Sequence, residues 1–366
     1  MNDYTVQDLM RPNIVSLVPY SSARNEFTGN ASVFLDANEN WQDFLGGRAL
    51  NRYPDPQHDA LKQKISHVFS LPSERLVVGN GSDEMIDVLI RIFCTPGKDR
   101  VLLMSPTYGA YEVFAHIHDV GVSHCPLRDD FSFDLQKMDT VCHLVNNGTP
   151  KSGMHKMLFI CSPNNPTGNS FPLDQIEMVA TRFKGITVVD EAYIDYAEGP
   201  SAVSLLDRCP RLVVLRTLSK AWGLANVRVG IAVSGLEIVS TMHKVKYPYN
   251  LSGVAQQLAI AALDKAETVR SAIIETRKER KRVALQLAQI PYVEKVFPSD
   301  ANFLLVRVTE ANVLCEKLRE QGIIIRNRST VRGCFGCVRI TIGSAHENNI
   351  LLEAMRSMEF PNAEKQ

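Results

Sequence analysis

The 366-residue sequence predicts an α/β fold built on a mostly parallel sheet, and three observations carry that expectation. From Arg75 onward, short apolar runs alternate with segments of helical period, the pattern of strands joined by helices. Each run ends in Gly, Ser, Asn or Asp, and the polar clusters of the chain follow those ends, where open parallel sheets bind their ligands. Beyond residue 289 the runs and helical stretches describe a smaller α+β unit. The composition, 45% hydrophobic and 22% charged, is that of a globular protein large enough for two domains. Forty basic residues balance forty acidic ones, so no global field favours nucleic acid or an anionic membrane, and any phosphate recognition must be local. The N-terminus has no basic segment followed by an apolar run, and no stretch is long enough to span a bilayer, so a cytoplasmic protein is expected.

Taken in order, residues 1–30 show weak periodicity and polar breaks such as Arg11-Pro12, and read as an N-terminal arm. Leu35-Asp-Ala-Asn-Glu-Asn40 and Asn51-Arg-Tyr-Pro-Asp-Pro56 are turn-rich, because Asn, Asp and Pro favour turn geometry. A helix is expected over about 58–69. The runs at 76–78, 101–104, 157–160, 186–189, 212–215 and 229–233 are expected strands, covered by helices on both faces. A single long helical pattern over about 253–289 would bridge two domains. Residues 302–306, 323–325 and 338–342 read as further strands, interleaved with helical stretches at 311–321 and 347–358. The resulting division is an arm at 1–30, a large domain at 51–265, and a discontinuous small domain at 31–50 and 266–360. Of eight cysteines only Cys334 and Cys337 form a CxxC pair. It lacks the second close pair a zinc site needs and precedes a strand instead of opening a helix, so free thiols are expected. The histidines show no metal-binding spacing, and no metal site is indicated.

Five motifs sit at the expected strand ends. Gly79-Asn-Gly-Ser-Asp-Glu84 precedes a helix expected over 85–93, and serves either as a phosphate seat or as a turn with Ser82 and Asp83 as caps. Glu84 stands where a dinucleotide fingerprint has its third glycine, which weakens a nicotinamide reading. Tyr108, in Ser105-Pro-Thr-Tyr-Gly-Ala-Tyr111, is placed to lie against an aromatic ligand or to fill the core. Ser162-Pro-Asn-Asn-Pro-Thr-Gly168 is a turn whose Asn side chains can face a ligand. Asp190, in Asp190-Glu-Ala-Tyr193, is costly to bury without a cation, and a protonated pyridine nitrogen is one such cation. Tyr193 would donate to a phenolate oxygen on the same ring. Lys220 follows the 212–215 run. Alone it would be a solvated surface lysine, but among apolar neighbours its amine loses charge and attacks aldehydes. Arg228 offers a phosphate-binding guanidinium. Together these groups describe a site for pyridoxal 5′-phosphate.

On these residues the sequence resembles the fold-type I pyridoxal-phosphate-dependent transferases. Asn-Asn-Pro-Thr-Gly, Asp-Glu-Ala-Tyr and Ser-Lys-Ala-x-Gly-Leu-Ala mark the aminotransferases among them. Leu17-Val-Pro-Tyr-Ser-Ser-Ala-Arg24, Asp36-Ala-Asn-Glu39, Arg52-Tyr-Pro-Asp-Pro56, Gly322-Ile-Ile-Ile-Arg326 and Cys337-Val-Arg-Ile-Thr341 resemble the histidinol-phosphate aminotransferase family. The resemblance implies a large domain with a mostly parallel mixed sheet flanked by helices, a smaller α+β domain and an N-terminal arm. It implies Lys220 as Schiff-base lysine and proton shuttle, and Asp190 on the ring nitrogen. Asn165 and Tyr193 would bind the ring oxygen, with Tyr108 stacked on the ring. It implies Ser82, Asp83, Thr217, Ser219 and Arg228 on the phosphate, with Tyr53 reaching in from a second subunit of a homodimer with shared active sites. Tyr20, Asn165, Arg326 and Arg339 would bind the substrates, histidinol phosphate and 2-oxoglutarate or glutamate, while Arg328 and Arg332 have no assigned place. An aromatic amino-acid aminotransferase, a phospho-amino-acid decarboxylase and a non-catalytic binding protein on the same scaffold stand as alternatives. Trp222, Asn226 and Tyr247-Pro-Tyr-Asn250 depart from the family pattern. The first two read as packing variants, and the third bears on substrate preference.

Overall fold

The computed structural model describes residues 4–20, 31–46, 49–145 and 153–358. Its centre is a seven-stranded sheet in the order β1-β7-β6-β5-β4-β2-β3. The strands are β1 (Leu76–Asn80), β2 (Arg100–Ser105), β3 (Gly121–Pro126), β4 (His155–Cys161), β5 (Ile186–Asp190), β6 (Leu212–Thr217) and β7 (Val229–Ser234). From β6 through β5, β4 and β2 to β3 the pairings are parallel. β7 runs antiparallel to both of its neighbours, β6 and β1. The strand period of two divides the buried residues between the faces. Val78, Leu102, Leu158, Val189 and Val214 pack on one side, and Val77, Val101, Phe159, Val188 and Val213 on the other. Because both faces are covered, the central strands read as unbroken apolar runs.

A second, antiparallel sheet has the order β10-β11-β9-β8, from β8 (Val293–Val296), β9 (Phe303–Val308), β10 (Arg326–Asn327) and β11 (Cys337–Thr341). Its core joins Val306 and Val338 to Leu314, Leu351 and Met355 from the Ala311–Glu320 and Ala345–Arg356 helices.

Several expectations differ from the structure. The helix expected from residue 85 begins at Gly81 and runs to Phe93, so Ser82 and Asp83 lie in its first turn and are not caps. Residues 323–325 are not a strand. Gly322, at φ +76°, ends the preceding helix, and the Ile323 amide turns back to the Leu318 carbonyl at 2.8 Å, so sheet pairing starts only at Arg326. The long 253–289 pattern is two helices, Gly253–Leu263 and Ala266–Leu287. The first buries Ala259 and Leu263 in the large core and the second Val283 and Leu287 in the small one. β3 and β8 escaped the sequence pattern because each lies at the edge of its sheet and offers little apolar surface. The start of the expected arm is packed down. Val6, Leu9, Met10 and Ile14 are buried in the large core, and the Lys156 ammonium donates to the Leu9 carbonyl at 2.7 Å.

Candidate active site

A pocket of about 260 Å³ opens where β4, β5 and β6 end and the Gly81–Phe93 helix begins. Its lining gathers Ser82, Asp83, Tyr108, Asn165, Asp190, Tyr193, Thr217, Ser219, Lys220, Arg228 and Arg339 from the expected site residues.

One end of the pocket is shaped for an anion. The helix starts at Asn80 without a side-chain cap among the described residues, which turns its first amides toward the pocket at the positive end of its dipole. Glycine is required twice. Gly81 has φ +79°, and a Cβ there would stand 2.5 Å from Arg228 Nη2. A Cβ on Gly230 would meet the Gly81 carbonyl carbon at 2.1 Å. Arg228 donates to Asp83 Oδ2 at 3.3 Å and to Ser219 Oγ at 3.5 Å, which holds its guanidinium beside the helix start. The Thr217 hydroxyl donates to the Val229 carbonyl at 3.1 Å and accepts the Ser219 amide at 3.0 Å, so it shapes this turn. Glu84 accepts the Asn80 amide and the Asn250 side-chain amide, the latter at 2.9 Å. That carboxylate closes the helix start against the 247–250 segment, which is a physical reason for its standing where a dinucleotide loop has glycine.

The other end is built to hold a ring. Asp190 is 3% exposed at the end of β5. Its carboxylate accepts the Tyr111 hydroxyl at 2.7 Å and the Ala192 amide at 3.0 Å, and makes no ion pair with a described residue. Burial pushes its pKa up to about 6, against the lowering effect of the Tyr111 and Ala192 hydrogen bonds. Tyr111 is itself stacked on Phe159, with ring centroids 4.7 Å apart, and meets the edge of Tyr108 at 5.4 Å. On the opposite wall Asn165 donates to the Tyr193 hydroxyl at 3.4 Å and accepts from Arg339 Nη1 at 2.5 Å. Burial raises the Tyr193 pKa, and pushes that of Tyr108 up to about 12, so both phenols stay protonated. Lys220 Nζ lies 5.6 Å from the centre of the Tyr193 ring. The surrounding burial, followed by the nearby Arg339 charge, lowers its pKa and enlarges the fraction of free amine.

Three expected residues lie outside this pocket. Tyr53 stacks on Tyr249, centroids 4.4 Å apart, beside a separate cavity. Tyr20 is 75% exposed, next to the undescribed 21–30 segment. Arg326 is paired opposite Arg339 across β10 and β11 and lines an adjoining cavity. Arg328, which the sequence left without a place, lines both cavities, and Arg332 lines the second. Tyr111 was missed altogether as a site residue. Its only signal was its position three residues beyond Tyr108, within a motif already suspected of facing a ligand.

The geometry defines a class: a lysine nucleophile, a buried carboxylate free to face a cation, and an anion seat, all at the ends of parallel strands, are what a pyridoxal-phosphate enzyme requires. The sequence profile of the family "Aminotransferase class I and II" matches residues 21–355. Histidinol-phosphate aminotransferase of Parabacteroides distasonis is 44% identical over 97% of this chain and 99% of its own length. The crystal structure of the histidinol-phosphate aminotransferase from Clostridium acetobutylicum superposes with a TM-score of 0.75 at 25% identity, covering 84% of this chain and 91% of that one. The Sinorhizobium meliloti histidinol-phosphate aminotransferase, solved in complex with pyridoxal-5′-phosphate, shares the fold at a TM-score of 0.74 and 22% identity, over 84% of this chain and 83% of its own. The chain belongs to the class I and II aminotransferases, and within them to the histidinol-phosphate aminotransferase family. Pyridoxal 5′-phosphate is the cofactor of this family, and the unpaired Asp190 and the glycine-lined helix start fit it.

Proposed function

We propose that this protein transfers an amino group between L-histidinol phosphate and 2-oxoglutarate, giving imidazole acetol phosphate and L-glutamate in L-histidine synthesis. The observation that carries this reading is the meeting in one pocket of Lys220, the buried Asp190 and an arginine-rich far wall. Pyridoxal phosphate supplies an aldehyde and an electron-withdrawing ring. The chain's residues do the rest. Asp190 holds the proton on the ring nitrogen, and the charge it faces there draws its own pKa back down. Asn165 and Tyr193 donate to the ring oxygen, and Tyr108 covers the ring. The free amides at Ser82 and Asp83, with Ser219 and Arg228, bind the phosphate, while Thr217 fixes their turn. Lys220 Nζ removes the proton from the amino-bearing carbon of the substrate. Arg339, fixed by Asn165 and lying 5.3 Å from the centre of the Phe303 ring, receives the substrate anion, with Arg326 and Tyr20 completing the seat.

The reading extends to a cytoplasmic homodimer in which Tyr53 completes the phosphate site of the partner subunit. Leu35, Trp41, Phe44 and Leu45 are all strongly exposed in one stretch of chain, a patch that a second copy would cover. Sedimentation equilibrium giving the mass of a single chain would remove this part. For the reaction itself, histidinol phosphate should discharge the visible absorption of the cofactor-loaded protein in single-turnover mixing far faster than phenylalanine. Equal rates would point to an aromatic amino-acid aminotransferase, and carbon dioxide release from phosphothreonine to a decarboxylase.

A further inference from the structure

The arginine wall contains more cation than the proposed reading has used. In the register of β10 and β11, Arg326 stands directly opposite Arg339. Arg328 lies just past the end of β10, where its amide still donates to the Cys337 carbonyl at 2.8 Å and so continues the pairing that turns it to the Arg326 face. Like charges opposed across a strand pair destabilise it, and a third on the same face adds to the repulsion. Arg328 is partly buried, and its Nε is enclosed without a hydrogen-bond partner among the described residues. Burial, then the neighbouring Arg339 and Arg326, lowers its pKa, while the groups that oppose this are the Cys334 thiol and the Tyr193 phenol. An anion placed on this cluster relieves the repulsion, so the cluster favours one.

The position of Arg328 tells which anion. It lines the Lys220 pocket and also the adjoining cavity of about 570 Å³, whose walls include Arg326 and Arg332, with Glu112 as the carboxylate among its lining residues. The two amino donors of the proposed reaction differ at this end. Glutamate brings a carboxylate with one charge close to the reacting carbon. Histidinol phosphate brings a phosphate ester that extends further and carries up to two charges. Arg339 is held in place by Asn165 and meets either anion. We propose that Arg328 is the residue that separates them. It takes the outer oxygens of the phosphate on the part of its guanidinium that faces the two cavities, and the carboxylate stops short of it. This inference rests on the proposed function for its substrates, but the dianion seat itself does not.

The test uses the cofactor-loaded protein and its Arg328→Gln and Arg328→Lys variants. Titration of the visible absorption gives the half-saturating concentration of histidinol phosphate and of glutamate, and inorganic phosphate is added as a competitor of glutamate. In Arg328→Gln, histidinol phosphate should bind at least about tenfold more weakly, the loss expected for a hydrogen bond to a charged group, and glutamate less than about threefold more weakly. Competition by inorganic phosphate should weaken with histidinol phosphate, and Arg328→Lys should restore part of both. Equal weakening of both donors, or none for either anion, overturns the proposal. If wild type does not respond to histidinol phosphate, the proposed substrate is wrong. The phosphate competition then still decides whether Arg328 is a dianion seat.

Discussion

Asp190 is where the site's chemistry is set against its stability. Burial lifts this carboxyl to about 6, above its ordinary value of 3.8. The folded apoprotein therefore holds the proton more tightly than the unfolded chain does, and a charged Asp190 costs folding free energy above pH 6. The cost fades as pH falls through 6 and vanishes below the unfolded value. Apoprotein carrying Asp190→Asn should accordingly be more stable than wild type at pH 8, by up to about 3 kcal/mol, with the advantage shrinking toward pH 5. Urea unfolding of both proteins at the two pH values checks this, and a difference that ignores pH would refute it. Once loaded with cofactor, the same variant should lose about 10²–10³-fold in turnover, because the preorganised charge at the ring nitrogen is gone. The meeting of Lys220, Asp190 and Arg228 in one pocket was legible in the sequence, since Asp190 closes one apolar run and Lys220 and Arg228 lie in the polar link between the next two. The hydroxyl of Tyr111 on Asp190 was not. Which acceptor a buried tyrosine finds depends on how two strands and a helix pack, and no local pattern encodes it.

Among the elements, the decisive contact is the crossing of β7 over the start of the Gly81–Phe93 helix. Gly230 lies against the backbone of Gly81 and Ser82, and the Cβ that an alanine would bring there falls 2.1–2.2 Å from those backbone atoms. Backbone cannot rotate aside as a side chain can, so Gly230→Ala must push the helix start away from Arg228. We expect this substitution to cost about 1–3 kcal/mol of stability, the range for overpacking, and to weaken pyridoxal-phosphate binding by more than tenfold, on the order of two lost charged hydrogen bonds. Thermal unfolding and a cofactor titration measure the two effects, and unchanged cofactor affinity would mean that the helix start is not the phosphate seat. Element assignments from the sequence were right where apolar runs are buried on both faces, as in β4 to β7. They erred at 323–325, where three isoleucines look like a strand but pair with nothing and leave Ile324 exposed, and at β3 and β8, where pairing occurs with little burial. The place of Arg328 was hidden too: it lies just past a two-residue strand, β10, and is set by the bond of its amide to the Cys337 carbonyl.

Across the whole molecule, the large sheet carries the groups proposed to hold the cofactor, and the small sheet, through β11, brings Arg339 to the same pocket. Asn165 and Arg339 are 174 positions apart in sequence and join the two halves by one hydrogen bond. The α/β class and the smaller α+β unit were readable in advance, because alternation of strand and helix is a global pattern, whereas the mixed character of the large sheet was only implied by the family resemblance. The packing of the two units was not, since it depends on contacts between distant segments. The most direct test of the account returns to Lys220, whose amine is proposed both to anchor the cofactor and to move the proton. The visible spectrum of cofactor-loaded wild type and of Lys220→Ala should be recorded before and after histidinol phosphate, and again after 2-oxoglutarate. The account predicts that wild type loses its band with the first substrate and regains it with the second, while Lys220→Ala does neither on the time scale of turnover. A variant that cycles like wild type, or a wild-type band that histidinol phosphate leaves unchanged, would contradict it.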